Sequence, residues 1–518
     1  MKRLCKILAV ILGAVLLVGA LNLQQTKAAG KTLYIGAGYE AQSLDPLVAG
    51  VSGAGGIISN AIYGSLWTYT ADGKVNFEVA ESYEWMNDMK TEIVIKIRED
   101  AKFSDGSDIT ANDVMATFLR NLNSGMFFYV MSIDFQNSTI VDDKTLDLKL
   151  SMPFATFTEG LSLVKISSAA DDDAKLAADP RCSGAYKVEQ FGTGLDTVLV
   201  KNEYYYDADK LVYDQVNITG NGNENTAFLN FQAGEYDILT LNDDKNIISV
   251  RNGNVPGTHI QVGDIQDFAY ICLNTTDFPE FADKNVRGAI AHAVDWETIV
   301  REICGETVSI ATSGLLPSAN WAYKDEGIYE YNPELAKEML AASGYDAEHP
   351  FEFSISYKNA GFDGKIAEAM QAYLKEVGIV MNLSPGDAAT VQSMNQANQL
   401  PLVFAEAMGA QDPGGLTNSR MSNVPINSAH FGAVDEGDTY LQDLVDEATV
   451  STADQETRTA MFHEAQDLIH DYYYCYPLYE KKAYFAAADS IGDFSCAVDA
   501  NSGFLHLENF KTDKVEVQ

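Results

Sequence analysis

The chain has 518 residues, and its 35 lysines and arginines against 74 aspartates and glutamates give a formal net charge of −39 at pH 7. A single hydrophobic core stops growing near about 250–300 residues, so this length predicts more than one core. Hydrophobic residues make up 46% of the composition, which excludes wholesale disorder. A surface with this much negative charge repels the phosphate backbone of nucleic acids, which argues against a nucleic-acid partner.

The first segment has the pattern of a secretory signal. Three basic residues precede an uncharged apolar run over residues 7–23, which is short for a membrane-spanning helix. Small residues follow at Ala29, so residues 1–29 are predicted to be a signal peptide, with an uncleaved N-terminal anchor as the alternative. A lipoprotein needs a cysteine directly after the apolar run, whereas Cys5 precedes it. The sequence therefore predicts export across the cytoplasmic membrane, to the periplasm or the cell surface, without a lipid anchor.

The next stretch alternates strand-like and helix-like patterns, which indicates an α/β fold. Residues 31–36 are predicted to form a strand, and residues 57–62 carry the apolar face of a helix. Residues 92–98 alternate between isoleucine and mostly polar residues, as in a half-buried strand. Thr110 and Asp113 have the spacing of a capping box, which predicts that a helix begins there.

The clearest local unit lies late in the chain. Asn332 is the predicted N-cap of a helix with Pro333 at its first position. Residues 351–357 alternate as a strand, residues 366–377 repeat apolar side chains at helical spacing, and residues 379–383 again have a strand pattern. This order predicts a βαβ unit with parallel strands and a right-handed crossover.

Cofactor and catalytic patterns are missing from the sequence. Five cysteines follow the signal segment, an odd number in a compartment that permits disulfides. Neither a C-x-x-C spacing nor a His–Cys cluster occurs, so we predict no metal and no other cofactor. No coherent nucleophile and base stand out, and we predict that the protein is not an enzyme.

A colinear set of motifs resembles one known family. The motifs are Ser43–Pro46, Ala61–Leu66, Val79–Tyr83, Ile97–Gly106, Thr110–Val114, Ser183–Tyr186, Lys201–Tyr205, Asn285–Ile290 and Leu340–Tyr345. In order and spacing they resemble the peptide and nickel class of ABC-transporter solute-binding proteins, the OppA/DppA-like family 5. The resemblance covers nearly all of the sequence after the signal segment. Within these motifs, Arg287 is expected on the helix face opposite the apolar stripe.

The resemblance implies a two-lobe, periplasmic-binding-protein-like α/β fold of type II, in the large form with an extra subdomain. Two crossing segments near Ala269–Asn274 and Tyr476–Tyr484 would form the hinge. Cys272 and Cys475 would lie on these neighbouring segments, which makes them the implied disulfide pair. The implied parts are a signal peptide at 1–29, lobe I at 30–60, 181–266 and 485–518, an extra subdomain at 61–180, and lobe II at 267–484.

The same resemblance implies a function. The two lobes would close over a short peptide and deliver it to the membrane permease of an ABC importer. The sequence has no G-x-x-x-x-G-K-[ST] phosphate loop, which agrees with ATP hydrolysis in a separate subunit. The protein is expected to be a monomer. A non-peptide solute such as a sugar or a metal chelate, and a secreted or anchored surface protein outside transport, remain alternatives.

The residues that decide specificity depart from the family pattern. Relatives commonly place an aspartate a few residues before an acidic-Pro pair, where it contacts the ammonium group of the peptide, and Gly409 stands there in this chain. Glu406 or Asp412 is expected to replace that contact. For the aromatic residues at 127–129, core packing and ligand contact are equally open. The expected ligand-binding residues are Glu40, Phe127, Phe128, Tyr129, Asn274, Phe404, Glu406, Met408, Gly409, Asp412 and Tyr476.

Overall fold

The structure is a computed structural model. It describes residues 31–49, 53–69, 74–124, 128–154, 156–192, 194–359, 361–407, 412–414, 440–451, 453–499 and 503–511. The predicted signal peptide at 1–29 lies outside these ranges. None of the helices within them combines the length and the apolar character that a bilayer span requires.

The elements are short strands and helices in a mixed order. The strands are β1 Thr32–Ala37, β2 Trp67–Tyr69, β3 Val75–Phe77, β4 Ala80–Trp85, β5 Glu92–Ile97, β6 Thr139–Asp142, β7 Thr145–Lys149, β8 Tyr186–Gln190, β9 Thr197–Lys201, β10 Gln215–Gly220, β11 Ile238–Leu241, β12 Thr258–Leu273, β13 Ser309–Ile310, β14 Glu352–Lys358, β15 Val380–Gly386, β16 Leu402–Ala407 and β17 Cys475–Ala488. The α-helices are α1 Pro46–Ala49, α2 Gly53–Ile62, α3 Ala111–Ser124, α4 Phe157–Ser162, α5 Asp173–Ala178, α6 Glu224–Gln232, α7 Asp244–Arg251, α8 Lys284–Ala293, α9 Trp296–Ile299, α10 Pro333–Ala342, α11 Asp363–Glu376, α12 Ala388–Gln396, α13 Tyr440–Val450 and α14 Gln455–Asp471.

Among the described residues, the largest sheet has nine strands in the order β16-β12-β17-β11-β1-β10-β9-β8, with β13 paired to β17. β1 is parallel to both β10 and β11, whereas β12 and β17 are antiparallel neighbours. A separate four-stranded sheet has the order β4-β5-β7-β6. The mixed sheet with helices on it is the α/β architecture that the alternating sequence pattern predicted.

The long strands β12 and β17 contribute residues to different cores at their two ends. Residues 258–264 of β12 pair with residues 482–488 of β17, and residues 268–272 pair with residues 475–480. The register is irregular between Asp264 and Phe268, and again between Ala269 and Tyr270. Such irregularities bend a ladder locally.

Each lobe has cores of its own. In the first lobe, a core around β1, α2 and β8–β10 includes the C-terminal aromatic residues Phe485, Phe494 and Phe510. A second core, around α3 and the four-stranded sheet, lies within residues 66–166. The second lobe packs apolar side chains on both faces of β12, β16 and β17. The boundaries given by the family resemblance stay a prediction.

Several local predictions are confirmed. β5 buries its three isoleucines as the alternation required. β14 and β15 run parallel with α11 between them in sequence, which is the predicted βαβ unit. Thr110 N donates to Asp113 Oδ2 at 2.9 Å, and Asp113 N donates to Thr110 Oγ1 at 3.4 Å, so the capping box forms.

Arg287, expected on the helix face opposite the apolar stripe, has a buried environment that its helix position did not predict. Its side chain on α8 is fully buried. The guanidinium donates to three backbone carbonyl oxygens, those of Phe281, Ala282 and Tyr472, at 2.8–2.9 Å, and it lies 4.5 Å from the ring centroid of Tyr474. These acceptors make burial of the charge possible and tie α8 to the segment after α14.

We expect Arg287→Met to lower the free energy of unfolding by about 3 kcal/mol, because three buried carbonyl groups lose their donor. Arg301→Met is the control: Arg301 forms an exposed ion pair with Glu297, and its loss is expected to cost under about 0.5 kcal/mol. Urea denaturation of both variants measures the difference. Equal effects would contradict the structural role of Arg287.

A buried ionic group fixes the C-terminal segment of the first lobe. His506 Nδ1 lies 2.8 Å from Glu508 Oε1, and His506 Nε2 lies 3.3 Å from Asp499 Oδ2. Burial by itself lowers the pKa of His506, but the two carboxylates outweigh burial and raise it to about 10. The imidazolium is therefore the form that the folded protein stabilises.

The pKa of His506 in the folded state lies above its value of about 6.5 in the unfolded chain, so its contribution to stability is complete below about pH 6.5. That contribution decreases as the pH rises and is lost through about pH 10. We expect His506→Gln to lower Tm at pH 7 and the deficit to shrink toward pH 10. His349→Gln, which changes an exposed histidine, is the control in the same thermal scans. A deficit that stays constant with pH would rule out this ion cluster as its cause.

Candidate functional site

The parallel strands of the first lobe end at one edge of the main sheet, and this edge is the candidate side of the cleft. β1, β10 and β11 run the same way, and Leu241 at the carboxyl end of β11 pairs with Tyr484 of β17, next to the irregular part of the β12–β17 ladder. The loops after these three strands therefore lie beside the passage to the second lobe. Ligand sites of open α/β sheets lie at such carboxyl ends.

Glu40, a predicted ligand residue, follows β1 at this edge. Its Oε1 accepts a hydrogen bond from the backbone N–H of Gly194, in the connection between β8 and β9. The backbone is close as well, because a Cβ on Gly220 would lie 2.3 Å from the Cα of Glu40. Contacts within its own lobe thus fix Glu40 at the end of β1.

The second lobe presents a row of polar side chains across β16, β12 and β17. Tyr479 OH donates to Glu406 Oε1 at 3.3 Å, and Lys481 Nζ lies 3.0 Å from Glu406 Oε2. The same ammonium group lies 3.6 Å from Asp267 Oδ2. Glu406 keeps 45% of its side-chain surface exposed, so it remains accessible while it is paired.

Burial shifts the pKa values of the charged side chains around Glu406. It raises the pKa of Asp267 and raises that of Asp363, at the start of α11, to about 6; nearby Glu406 acts in the same direction. For Lys481 burial acts the other way, yet Asp267 and Glu406 outweigh it and raise the lysine pKa. Within the described ranges, no group of three His, Cys, Asp or Glu side chains is arranged to hold a metal ion.

A cavity of about 230 Å³ opens beside this group, between the edge strand β16, the end of β14, the start of α11 and α12. Glu406, Asp363 and Lys358 supply its charged lining, and Phe404 and Tyr357 supply aromatic surface. The predicted residues Phe404 and Glu406 are thus brought together at one cavity. This volume holds several water molecules or one side chain of a ligand.

Asp412 has a structural partner. Both of its carboxylate oxygens accept from Arg458, at 2.6 Å each, and the two side chains are only 9% exposed. The backbone N–H of Asp412 donates to Glu159 Oε1 at 2.5 Å, which joins the second lobe to α4. Of the two carboxylates expected to replace the family aspartate, Glu406 is therefore the one left at the cavity.

Two other predicted residues are part of the core. Tyr476 is fully buried, donates its hydroxyl to the carbonyl of Arg287 at 2.8 Å and stacks on Trp296. Asn274 is fully buried beyond β12 and closes a turn by bonding to Asp277. Phe127, Met408 and Gly409 lie outside the described residues, as do the side chains of Phe128 and Tyr129.

Cys272 and Cys475 are directly opposite residues of β12 and β17. Both are buried thiols in the structure, and each Sγ donates to a backbone carbonyl, that of Val403 at 3.8 Å and that of Gly314 at 3.2 Å. The predicted bridge therefore has adjacent partners but is not formed here. Pairing under oxidising conditions stays a prediction.

Sequence reasoning missed Asp267, Asp363, Lys358 and Lys481. A signal for Asp363 was available, because it lies in the loop after the first strand of the predicted βαβ unit, where ligand sites tend to lie. Asp267 and Lys481 carried no comparable signal. Their charges meet only through the pairing of β12 with β17, which are about 200 positions apart in the chain.

The chain is similar to known proteins in sequence and in structure. The chain matches the family model described as bacterial extracellular solute-binding proteins, family 5 middle, over residues 74–425. It is 25% identical over 470 residues to the periplasmic oligopeptide-binding protein OppA of Salmonella typhimurium, covering 84% of each protein. It is 23% identical over 405 residues to heme-binding protein A of Haemophilus influenzae, covering 73% of each.

A similar fold occurs in the crystal structure of the ABC transporter substrate-binding protein CtaP from Listeria monocytogenes. The TM-score is 0.79 at 22% sequence identity, with 93% of this chain and 99% of CtaP covered. The similarity extends over nearly the whole chain, so the α/β, two-lobe fold expected from the motifs is confirmed.

The pair of Arg458 and Asp412 provides a test of a structural role. Arg458→Met should lower the free energy of unfolding by about 3–5 kcal/mol, because it leaves a carboxylate buried without its cation. The double variant Arg458→Met/Asp412→Leu should recover most of this loss, since neither charge then remains. Chemical denaturation of the wild type, both single variants and the double variant completes the cycle. A double variant as unstable as the sum of the single ones would contradict the pairing.

Proposed function

We infer a transport function from one premise, which is that the chain belongs to family 5 of the bacterial extracellular solute-binding proteins. The similar proteins are substrate-binding proteins of ABC importers rather than enzymes. This chain is accordingly a solute-binding protein that acts outside the cytoplasm and not an enzyme. We propose that its solute is a short peptide, captured between the lobes and passed to a membrane permease.

The observation that carries the peptide assignment is the position of β16. This strand ends the order of the main sheet, and within the described part of the chain it pairs with β12 alone. An extended peptide can add to such an edge through main-chain hydrogen bonds, with alternate side chains entering pockets. The cavity beside Phe404 and Glu406 lies next to this edge.

Closure is proposed to occur by bending where the β12–β17 ladder is irregular. Lobe I would comprise residues 30–60, 181–266 and 485–518, with 61–180 as its extra subdomain, and lobe II residues 267–484. Contacts that then cross between the parts include Asp412 N to Glu159 Oε1, and Thr307 Oγ1 to Asp244 Oδ1 at the start of α7. A ligand that binds the closed form better shifts the equilibrium toward it.

The protein is proposed to work as a monomer, after export directed by its N-terminal segment. The periplasmic location named for OppA supports the proposed export. A non-peptide solute is the second candidate. It is favoured by Gly409, which stands where peptide-binding relatives place an aspartate, and by the similarity to a protein named as heme-binding.

The test is native mass spectrometry of the secreted protein, purified without denaturation, followed by release and sequencing of any bound molecule. We expect a mixture of short peptides, because contacts to the peptide main chain do not depend on the side chains. Thermal-shift scans of the emptied protein against peptide pools give the independent measurement, since a ligand that binds only the folded state raises Tm.

A single non-peptide mass would reject the peptide assignment and favour the second candidate. So would an emptied protein whose Tm is raised by no peptide pool. The Tyr186→Phe variant controls for changed stability without a changed site, because Tyr186 lies in the first-lobe core and its hydroxyl bonds the carbonyl of Tyr213. Its peptide-induced shift in Tm should equal that of the wild type.

A further inference from the structure

The lining of the cavity beside β16 contains both apolar and charged side chains. The apolar ones include the buried Val391 and Leu400 and the rings of Tyr357 and Phe404. The carboxylates of Asp363 and Glu406 lie on the same lining. A ligand group that fits both parts has an apolar stem and a polar end.

The charges around the cavity do not balance. Asp363, Glu406 and Asp267 are acidic, and Lys358 and Lys481 are basic, which leaves one negative charge when all five groups are ionised. Lys481 is shared between Glu406 and Asp267, at 3.0 and 3.6 Å. One added positive charge would neutralise the group.

Further observations favour a cation over a neutral polar group. Burial makes the ionised form of Asp363 costly, as its raised pKa indicates, and a nearby positive charge would relieve that cost. The aromatic faces of Tyr357 and Phe404 also attract cations. On a larger scale, a chain with a net charge of −39 concentrates cationic solutes near its clefts.

We propose that this cavity accepts a positively charged side chain of the bound peptide, with the aliphatic stem against the apolar wall and the cationic end between Glu406 and Asp363. The proposal rests on the proposed peptide function and adds a substrate class, namely peptides that contain lysine or a similar basic residue. It makes Glu406 and Asp363 specificity-determining residues.

The experiment compares short alanine peptides in which one residue is lysine, norleucine or glutamate, with the position of that residue varied. Norleucine keeps an aliphatic stem and lacks the ammonium group. Isothermal titration calorimetry with the wild-type protein should show that the best lysine peptide binds about tenfold more tightly than its norleucine counterpart, as expected for a charge-assisted hydrogen bond. The glutamate peptides should bind most weakly.

Variants test whether Glu406 and Asp363 cause the difference between lysine and norleucine affinity. Glu406→Gln and Asp363→Asn should each reduce the ratio of lysine to norleucine affinity several-fold, because each removes one negative charge from the cavity. Glu368→Gln is the matched control, since it removes an exposed carboxylate from the same helix, α11, and should leave the ratio unchanged. The ratio in the wild type tests the proposal even if a variant folds poorly.

The outcomes separate this proposal from the function on which it rests. Equal binding of lysine and norleucine peptides would overturn the cationic pocket and leave peptide capture intact. If no peptide binds but free cadaverine does, and Glu406→Gln abolishes that binding, the cation site stands and the peptide function fails. If neither the peptides nor cadaverine bind, both are overturned.

Discussion

The structure depends on β12 and β17, two long antiparallel strands that are neighbours in the main sheet. Every buried backbone N–H and C=O needs a partner, and β12 and β17 meet this demand for each other along most of their length. The ladder is irregular only near Asp264–Tyr270, where the side chains include ion pairs such as that of Asp264 with Lys482 at 2.8 Å. The irregular stretch lies between the core around β1 and the core around β14 and β15, and such irregularities bend a ladder locally.

Secondary structure could be predicted where it depends on residues that are close together in the sequence. The alternation in β5, the capping box of Thr110 and the βαβ unit each depend on residues within about 35 positions, and each was found. The burial of Arg287 could not be inferred in this way, because the helix pattern gave only its place opposite the apolar stripe. One of the carbonyls that satisfies it belongs to Tyr472, 185 positions away.

The candidate site also depends on contacts between residues that are far apart in the sequence. Glu406 and Phe404 could be inferred from the family motif, and they do line one cavity. The same motif pointed to Asp412, but both of its carboxylate oxygens accept hydrogen bonds from Arg458 on α14. The sequence near Asp412 does not indicate this partner. Asp363, Lys481 and Asp267 form one electrostatic group only after β14, β17 and β12 have assembled.

The first-lobe core has a consequence for the order in which the chain folds. It joins Leu33 and Ile35 to Phe485, Phe494 and Phe510, so its earliest and latest members are separated by most of the sequence. Contacts of such long separation form slowly, because the intervening chain must be restrained first. During synthesis this lobe cannot complete its core until nearly the last residue has left the ribosome, whereas the residues of the second lobe are already present. The chain therefore remains incompletely folded for nearly the whole of its translation.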